Sequence, residues 1–459
     1  MENENVTAPN KMGVMPVNKL LLTMAVPMMI SNLVQALYNV VDSIFVSRVS
    51  EKALTAVSMA FPIQLLIIAL GNGMSVGVNA LLSRSLGEGN SEKASKAAKN
   101  GIFLAYMSAI VFLIIGLTLV GPFYRSQTDD AEIINYGLQY LTWNCCLSFG
   151  IYSQFIFERL LQSTGKTMYT MITQATGAII NIILDPILIF GLLGNPALGV
   201  TGAAVATVFG QITAAIIGII INIKKNKEIN INMKGFRPDM ETIKQIYVVG
   251  LPSIIMQAIG SVMNYSMNLI LISFTSTAVA VFGVYYKLQS FVFMPVFGLN
   301  TGMIPIVAYN YGAENRKRMV KTTKLAVMYA IIIMCIGTII FETCPGVLLK
   351  LFDASESMTS MGTTALRIIG VHFPVAAVCI ILGTVFQALG NGVYSMIVSI
   401  MRQIVVLIPA AYLLSKLGNV AYVWWAFPIA EVMSLIVTII FFIKINKDII
   451  SKLPDGAPV

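Results

Sequence analysis

Residues 178–190 read AIINIILDPILIF and lie inside an apolar run that starts near Met168 and ends near Leu193. A carboxylate in such a run is expensive in lipid, so Asp185 has to face a protein interior or a wet cavity. Asn181 and Asp185 are four residues apart, and a helix brings both to one face. Pro186 removes the donor that would bond to Ile182 and favours a bend beside the acid. An acid, an amide and a bend make a small polar site in an apolar wall.

The rest of the chain fits that setting. It has 459 residues, 57% hydrophobic and 11% charged, where a soluble chain carries roughly 25% charged residues. Runs such as Leu325–Phe341 and Ala203–Ile223 are too long and too uniformly apolar for barrel strands. The fold class is therefore an all-α polytopic membrane protein. Its segment before Met24 lacks a short apolar core with a small-residue cleavage site, so the first helix is expected to direct insertion itself. Cys145, Cys146, Cys335, Cys344 and Cys379 fall in or beside apolar spans without metal-ligand spacing and read as packing thiols.

Twelve spans are expected, at 20–46, 54–82, 99–121, 134–157, 167–190, 201–223, 245–272, 278–308, 322–343, 358–386, 393–415 and 421–444. With the N-terminus inside, 23 of the 30 Lys and Arg residues fall on the cytoplasmic side, Arg159 and Arg402 among them, and 5 on the outer side. Lys287 and Arg367 remain within spans. That bias places both termini in the cytoplasm and accounts for the net charge of +9 without nucleic acid.

The sequence repeats itself at a spacing of 225. Lys19, Pro27, Asn39, Gly73, Gly77, Gly87 and Asn90 match Lys244, Pro252, Asn264, Gly298, Gly302, Gly312 and Asn315. Gln162, Gly165 and Tyr169 match Gln387, Gly390 and Tyr394, and the spacing slips by one at Gly194 and Gly418. Six spans per half start both halves on one side. The repeats are thus two parallel six-helix bundles related by a pseudo-two-fold axis along the membrane normal. The expected division is a tail at 1–19, bundles at 20–223 and 245–444, a basic linker at 224–244 and a tail at 445–459. The paired glycines read as close helix contacts and helix ends.

Five acids fall in or beside spans: Asp42, Glu158, Asp185, Glu342 and Glu431. Asp42 and Asp185 are each about five residues from the outer end of their span, so they lie at similar depth, with Asn39 and Asn181 in the same layer. Together these four are the candidate cation site. Desolvation and mutual repulsion favour a bound proton there, and the same oxygens could ligate Na⁺. The candidate substrate cleft comprises Gln35, Tyr38, Met29, Phe155, Glu158, Gln257, Asn264, Lys287, His372 and Glu431. Methionine and aromatic side chains suit varied apolar cations. Glu158 also reads as an interfacial pair with Arg159, and His372 as a hydrogen-bonded core residue. No nucleotide-binding GxxxxGK[ST] stretch is present, so an ion gradient or the membrane potential has to drive any transport, and no enzyme activity or cofactor is expected.

With those residues in view, the chain resembles the multidrug and toxic compound extrusion (MATE) transporters, bacterial efflux branch. VPMMISNLVQALYNVVDSIFVSR (26–48), GEGN (87–90), GAEN (312–315), LLQSTGKTMYTM (160–171), NIILDPILIF (181–190) and GVTGAAVATVFGQ (199–211) carry the likeness, which covers about 16–446. The resemblance implies a plasma-membrane antiporter that expels organic cations and other drugs for H⁺, favoured, or Na⁺, by alternating access. It places the coupling roles on Asp42, Asn181 and Asp185. Gln257, Lys287 and His372 stand where other members carry second-bundle acids. A flippase for lipid-linked precursors is the alternative, and would need a cationic cleft. A receptor or scaffold has no evident use for buried acids. Two bundles enclose a complete cleft, so a monomer suffices.

Overall fold

The computed structural model describes residues 10–455 apart from Asn195 and Asp353. The expectations for 1–9 and 456–459 lie outside the described residues. Among the described residues the chain is helical and without strands. We number the spans α1 (Val17–Ser47), α2 (Glu51–Gly87), α3 (Ser91–Thr118), α4a (Ala131–Cys146) with α4b (Phe149–Ser163), α5 (Thr167–Phe190) and α6 (Val200–Lys225). The second repeat supplies α7 (Met240–Ile272), α8 (Ser276–Gly312), α9 (Arg316–Thr343), α10a (Glu356–Gly370) with α10b (Phe373–Ala388), α11 (Gly392–Ser415) and α12 (Ala426–Asp448).

Ten of these helices are long and apolar enough to cross a membrane unbroken, and α10a and α10b form a further span bent by 48°. The fourth span, read as continuous at 134–157, is likewise two helices, interrupted at Leu147–Ser148. The two breaks are repeat-equivalent within one residue. Pro374 explains the second, because its ring clashes with the carbonyl four residues back and starts a new helix.

The repeat is also written in the caps. Ser50 Oγ accepts from Ala53 N at 3.0 Å, and Thr275 Oγ1 from Ala278 N at 3.1 Å. Asn90 Oδ1 accepts from Lys93 N at 2.8 Å, and Asn315 Oδ1 from Arg318 N at 3.1 Å. Each cap satisfies a donor the helix start leaves open, worth about 1 kcal/mol.

By contacts the chain forms two compact units, Ile30–Gly250, and Lys11–Met29 with the chain from Leu251 onward. The boundaries fall inside α1 and α7, not in the 224–244 linker. The paired glycines explain why. In the first unit, a Cβ on Gly77 would stand 2.0 Å from the Ile246 carbonyl oxygen of α7. In the second, a Cβ on Gly302 would stand 2.7 Å from Ala25 Cα of α1. Backbones this close require glycine. The start of α7 thus packs on α2, and the start of α1 on α8.

The segments before those helices follow the same rule. Arg318 donates to the carbonyls of Met12 (3.0 Å) and Met15 (2.6 Å). The linker docks through Asn230 N to Ser95 Oγ at 2.9 Å and Asp239 N to Asn100 Oδ1 at 3.0 Å. Lys96 Nζ lies 3.0 Å from Asp239 Oδ2. Hydrogen bonds from Thr242 and Lys96 hold the Asp239 carboxyl at about 2, below its ordinary 3.8.

Two outcomes are expected. Gly77→Ala lowers stability by about 1–3 kcal/mol through forced backbone separation, whereas Gly283→Ala, with open space around its Cβ, is close to neutral; thermal unfolding in detergent reads both. Asp239 is ionised in the docked linker and depressed relative to the free chain, so its contribution is complete above about pH 4 and is lost as pH falls through about 2. Hydrogen exchange at the Thr242 amide is expected to accelerate over that window, and already at pH 7 in Asp239→Asn.

Candidate cation site

The first unit brings Asp42 of α1 together with Asn181 and Asp185 of α5. Asp185 is fully buried and Asn181 is 2% exposed, while Asp42 is half-buried. The two carboxylates interact electrostatically, and Tyr38 feels both. Asn181 is best placed with its amide nitrogen 3.1 Å from Asp185 Oδ2 and its oxygen accepting from Thr207 Oγ1 of α6 at 3.2 Å. That orientation is assigned from the hydrogen-bond network. Asp42 Oδ1 is buried and makes no hydrogen bond. Tyr140 of α4a also feels Asp42, and its hydroxyl accepts from Gln64 Nε2 of α2 at 2.9 Å. Among the described residues neither acid has an ion-pair partner.

Asn39 is exposed on α1 and lies outside the buried cluster. Thr207, Tyr140 and Gln64 were not singled out in the sequence. Each is an ordinary polar residue in an apolar span, and only the packing of α2, α4a and α6 against α1 and α5 selects it. The one available signal was Thr207 in GVTGAAVATVFGQ.

Glu158 and Arg159 depart from the interfacial pair expected of them. Glu158 is 2% exposed and accepts from Gln154 Nε2 (3.0 Å), Thr173 Oγ1 (3.0 Å) and Gln174 Nε2 (2.7 Å). Arg159 instead donates to Asn72 Oδ1 at 2.8 Å. Neighbouring residues on a helix point about 100° apart, so adjacency in sequence separates the two heads. Gln174 also accepts from Ser31 of α1, so this inner network ties α4b and α5 to the first helix. Phe155 closes on Gly71, Met29 and Tyr38 are half-buried, and Gln35 is exposed.

In the second unit Gln257 and Asn264 are half-buried, and Asn264 bonds to Tyr286. Lys287 is exposed, 6.0 Å from the centre of the Phe352 ring, and Arg367 donates to the Glu342 carbonyl at 3.2 Å. These two cations go to separate partners and build no shared cationic cleft. His372 is buried and bonds the Ile369 carbonyl through Nδ1. Arg402, placed above on the cytoplasmic side, sits ten residues into α11 and pairs with Glu431 at 3.2 Å. The alternation of inside and outside loops does not depend on that one residue.

Two repeated bundles of long apolar helices, one of them holding a fully buried and a half-buried acid with an amide, define a polytopic membrane protein. The sequence matches the MatE family profile over residues 27–187 and 252–413, one match per repeat. The chain belongs to the MATE family. It is 27% identical over 414 residues to the multidrug export protein MepA of Staphylococcus haemolyticus (strain JCSC1435), covering 90% of each chain. It is 26% identical over 417 residues to MepA of Staphylococcus aureus (strain bovine RF122 / ET3-1), covering 91% of each. An outward-facing multidrug resistance MATE transporter of the MOP superfamily superposes with TM-score 0.91 at 26% identity, over 98% of this chain and 100% of that one. A MOP superfamily transporter from Pyrococcus furiosus superposes with TM-score 0.87 at 26% identity, over 97% and 100%.

The site's own geometry gives one expectation. Thr207→Val removes one of two donors to the Asn181 oxygen and leaves the Thr207 backbone N–H at 3.0 Å, at a cost of about 0.5–1.5 kcal/mol. Thr207→Ser keeps the donor and is expected to unfold, in detergent, near the wild-type temperature.

Proposed function

We propose that this protein is a secondary active antiporter that exports organic cations and other amphipathic drugs in exchange for an inward-moving cation, by alternating access. Asp42, Asn181 and Asp185 form the coupling site. The observation that carries this reading is the pair of interacting acids in one buried site, with no lysine or arginine to balance them among the described residues. Two such carboxylates are stable together only when a proton or a metal cation shares the site. The relatives' naming as multidrug export proteins supports the cargo.

The proton is the favoured coupling ion. Desolvation and mutual repulsion of the two carboxylates favour a bound proton at this site, and the same oxygens could instead ligate Na⁺. The site is expected to act in the cell membrane with both termini in the cytoplasm and with one chain sufficient.

The test is transport in proteoliposomes. Ethidium is loaded, and a pH gradient or a Na⁺ gradient is imposed separately with the membrane potential clamped. Efflux driven by pH alone, and reduced at least ~10²-fold in Asp42→Asn and Asp185→Asn, is expected, since each variant removes the exchanging group. A strict Na⁺ requirement would make the same oxygens metal ligands. Wild-type efflux in both variants would sink the coupling assignment.

A further inference from the structure

The second unit holds one buried acid that the coupling site does not use. Glu431 of α12 is 3% exposed in its side chain. One carboxylate oxygen accepts from Arg402 Nη1 at 3.2 Å, and the other is buried without a hydrogen bond. Ser434 Oγ and Thr438 Oγ1, three and seven residues further along the same helix, are also buried, and all three groups have the Cys379 thiol, a weak partner, as a further polar neighbour. Buried polar groups in that condition are rare and call for an occupant.

The partner cation is less firmly placed than the acid. Arg402 is 29% exposed in its side chain and touches Glu431 through a single nitrogen, not through the two-pronged contact that an arginine prefers with a carboxylate. It sits in a π-helical turn, Met401–Leu407, within α11. Such turns interrupt the regular helix and cluster at functional positions. The equivalent stretch of the first repeat, 176–182, lies within regular helix, and Gly177 stands 225 residues before Arg402. At the slipped spacing of 224, Glu431 corresponds to Thr207, the residue that bonds Asn181 in the first bundle. The second bundle therefore carries an acid at a position where the first bundle builds its site.

Aromatic rings flank this acid. Phe427, one turn before Glu431, stacks on His372 with centroids 6.2 Å apart and meets Tyr285 edge-on at 5.7 Å. Tyr286, 39% exposed, is the open edge of the same group through Phe282. A carboxylate beside ring faces is the chemistry that recognises a flat organic cation. A buried carboxylate without a full set of neutral donors needs a positive charge. Arg402 supplies it at Glu431, and an incoming cation is an alternative to Arg402 there.

We propose that Glu431 is a cation-exchange site of the second bundle, where the Arg402 guanidinium holds the place of a transported planar aromatic monocation. The resident arginine keeps the empty site neutral. An arriving cation takes the carboxylate, with its N–H groups meeting the second Glu431 oxygen and the Ser434 hydroxyl, and Arg402 gives up its single contact. This assignment rests on the export reading above and adds to it a second-bundle contact for the cargo.

The experiment uses the purified full-length protein in detergent micelles with ethidium as the probe, read by its fluorescence. Arg402→Gln removes the competitor and is expected to tighten ethidium binding about tenfold, whereas Glu431→Gln weakens it about tenfold. The double variant binds as weakly as Glu431→Gln but keeps wild-type thermal stability, because no charge is left unpaired. If Arg402→Gln is unstable alone, ethidium is expected to raise its unfolding temperature more than that of the wild type, since the ligand supplies the missing charge. Asp185→Asn separates the two readings: it should lose gradient-driven efflux yet bind ethidium normally. Wild-type export with unchanged ethidium affinity in Arg402→Gln and Glu431→Gln overturns this site alone. Absence of both binding and export in the wild type overturns the export reading with it.

Discussion

A carboxylate enclosed by apolar helices has to be matched by hydrogen-bond donors or by a positive charge, and the interior of this protein is arranged around that requirement. Three solutions occur in one chain. Glu158 receives three hydrogen-bond donors from its own helix and α5. Glu431 receives a guanidinium. Asp42 and Asp185 receive one amide and no cation among the described residues. The first is saturated and serves to join helices. The last is a pair of acids with no balancing cation among the described residues, and the proposed exchange chemistry is placed there for that reason. The arginine-paired acid lies between these extremes, balanced but by a tether of one contact.

The two repeats agree where the backbone dictates the outcome and differ where side chains are free to vary. Caps at Ser50 and Thr275, caps at Asn90 and Asn315, the glycine contacts of α2 and α8, and the broken fourth and tenth spans all recur. Each answers an open donor or a close backbone approach that any copy of this fold meets. The polar interior has no such obligation. Asp42 and Asp185 correspond, at a spacing of 225, to Met267 and Ala410. The frame was duplicated, and the chemistry diverged within it.

This division also explains what the sequence disclosed. Span number and the repeat follow from long apolar runs and paired glycines, both of which leave marks on a linear string. Asp185 and Asn181 were legible because an acid is costly in an apolar run and helical spacing joins the two. The breaks at 147–148 and 371–372 were hidden, because a run of apolar residues reads alike whether its helix is straight or interrupted. Thr207, Tyr140 and Gln64 were hidden because a lone hydroxyl or amide carries little penalty in a bundle. Arg402 falls nine residues inside the expected span 393–415, and counting it as cytoplasmic does not fit its pairing there with Glu431, 29 residues away in sequence.

The compact units add a mechanical constraint to the electrostatic one. Helix α1 is continuous from Val17 to Ser47, yet its contacts change unit between Met29 and Ile30. In α7 the change falls between Gly250 and Leu251. Pro27 and Pro252 lie within three residues of those points. Neither proline carries an N–H, so neither can donate within its helix. Long helices depart from straightness most often at proline. Asp42 stands 15 residues beyond Pro27, about 22 Å along the axis, on the far side of that point. The half of α1 before that point is anchored on α8 at Gly302, and the segment preceding it is held by Arg318.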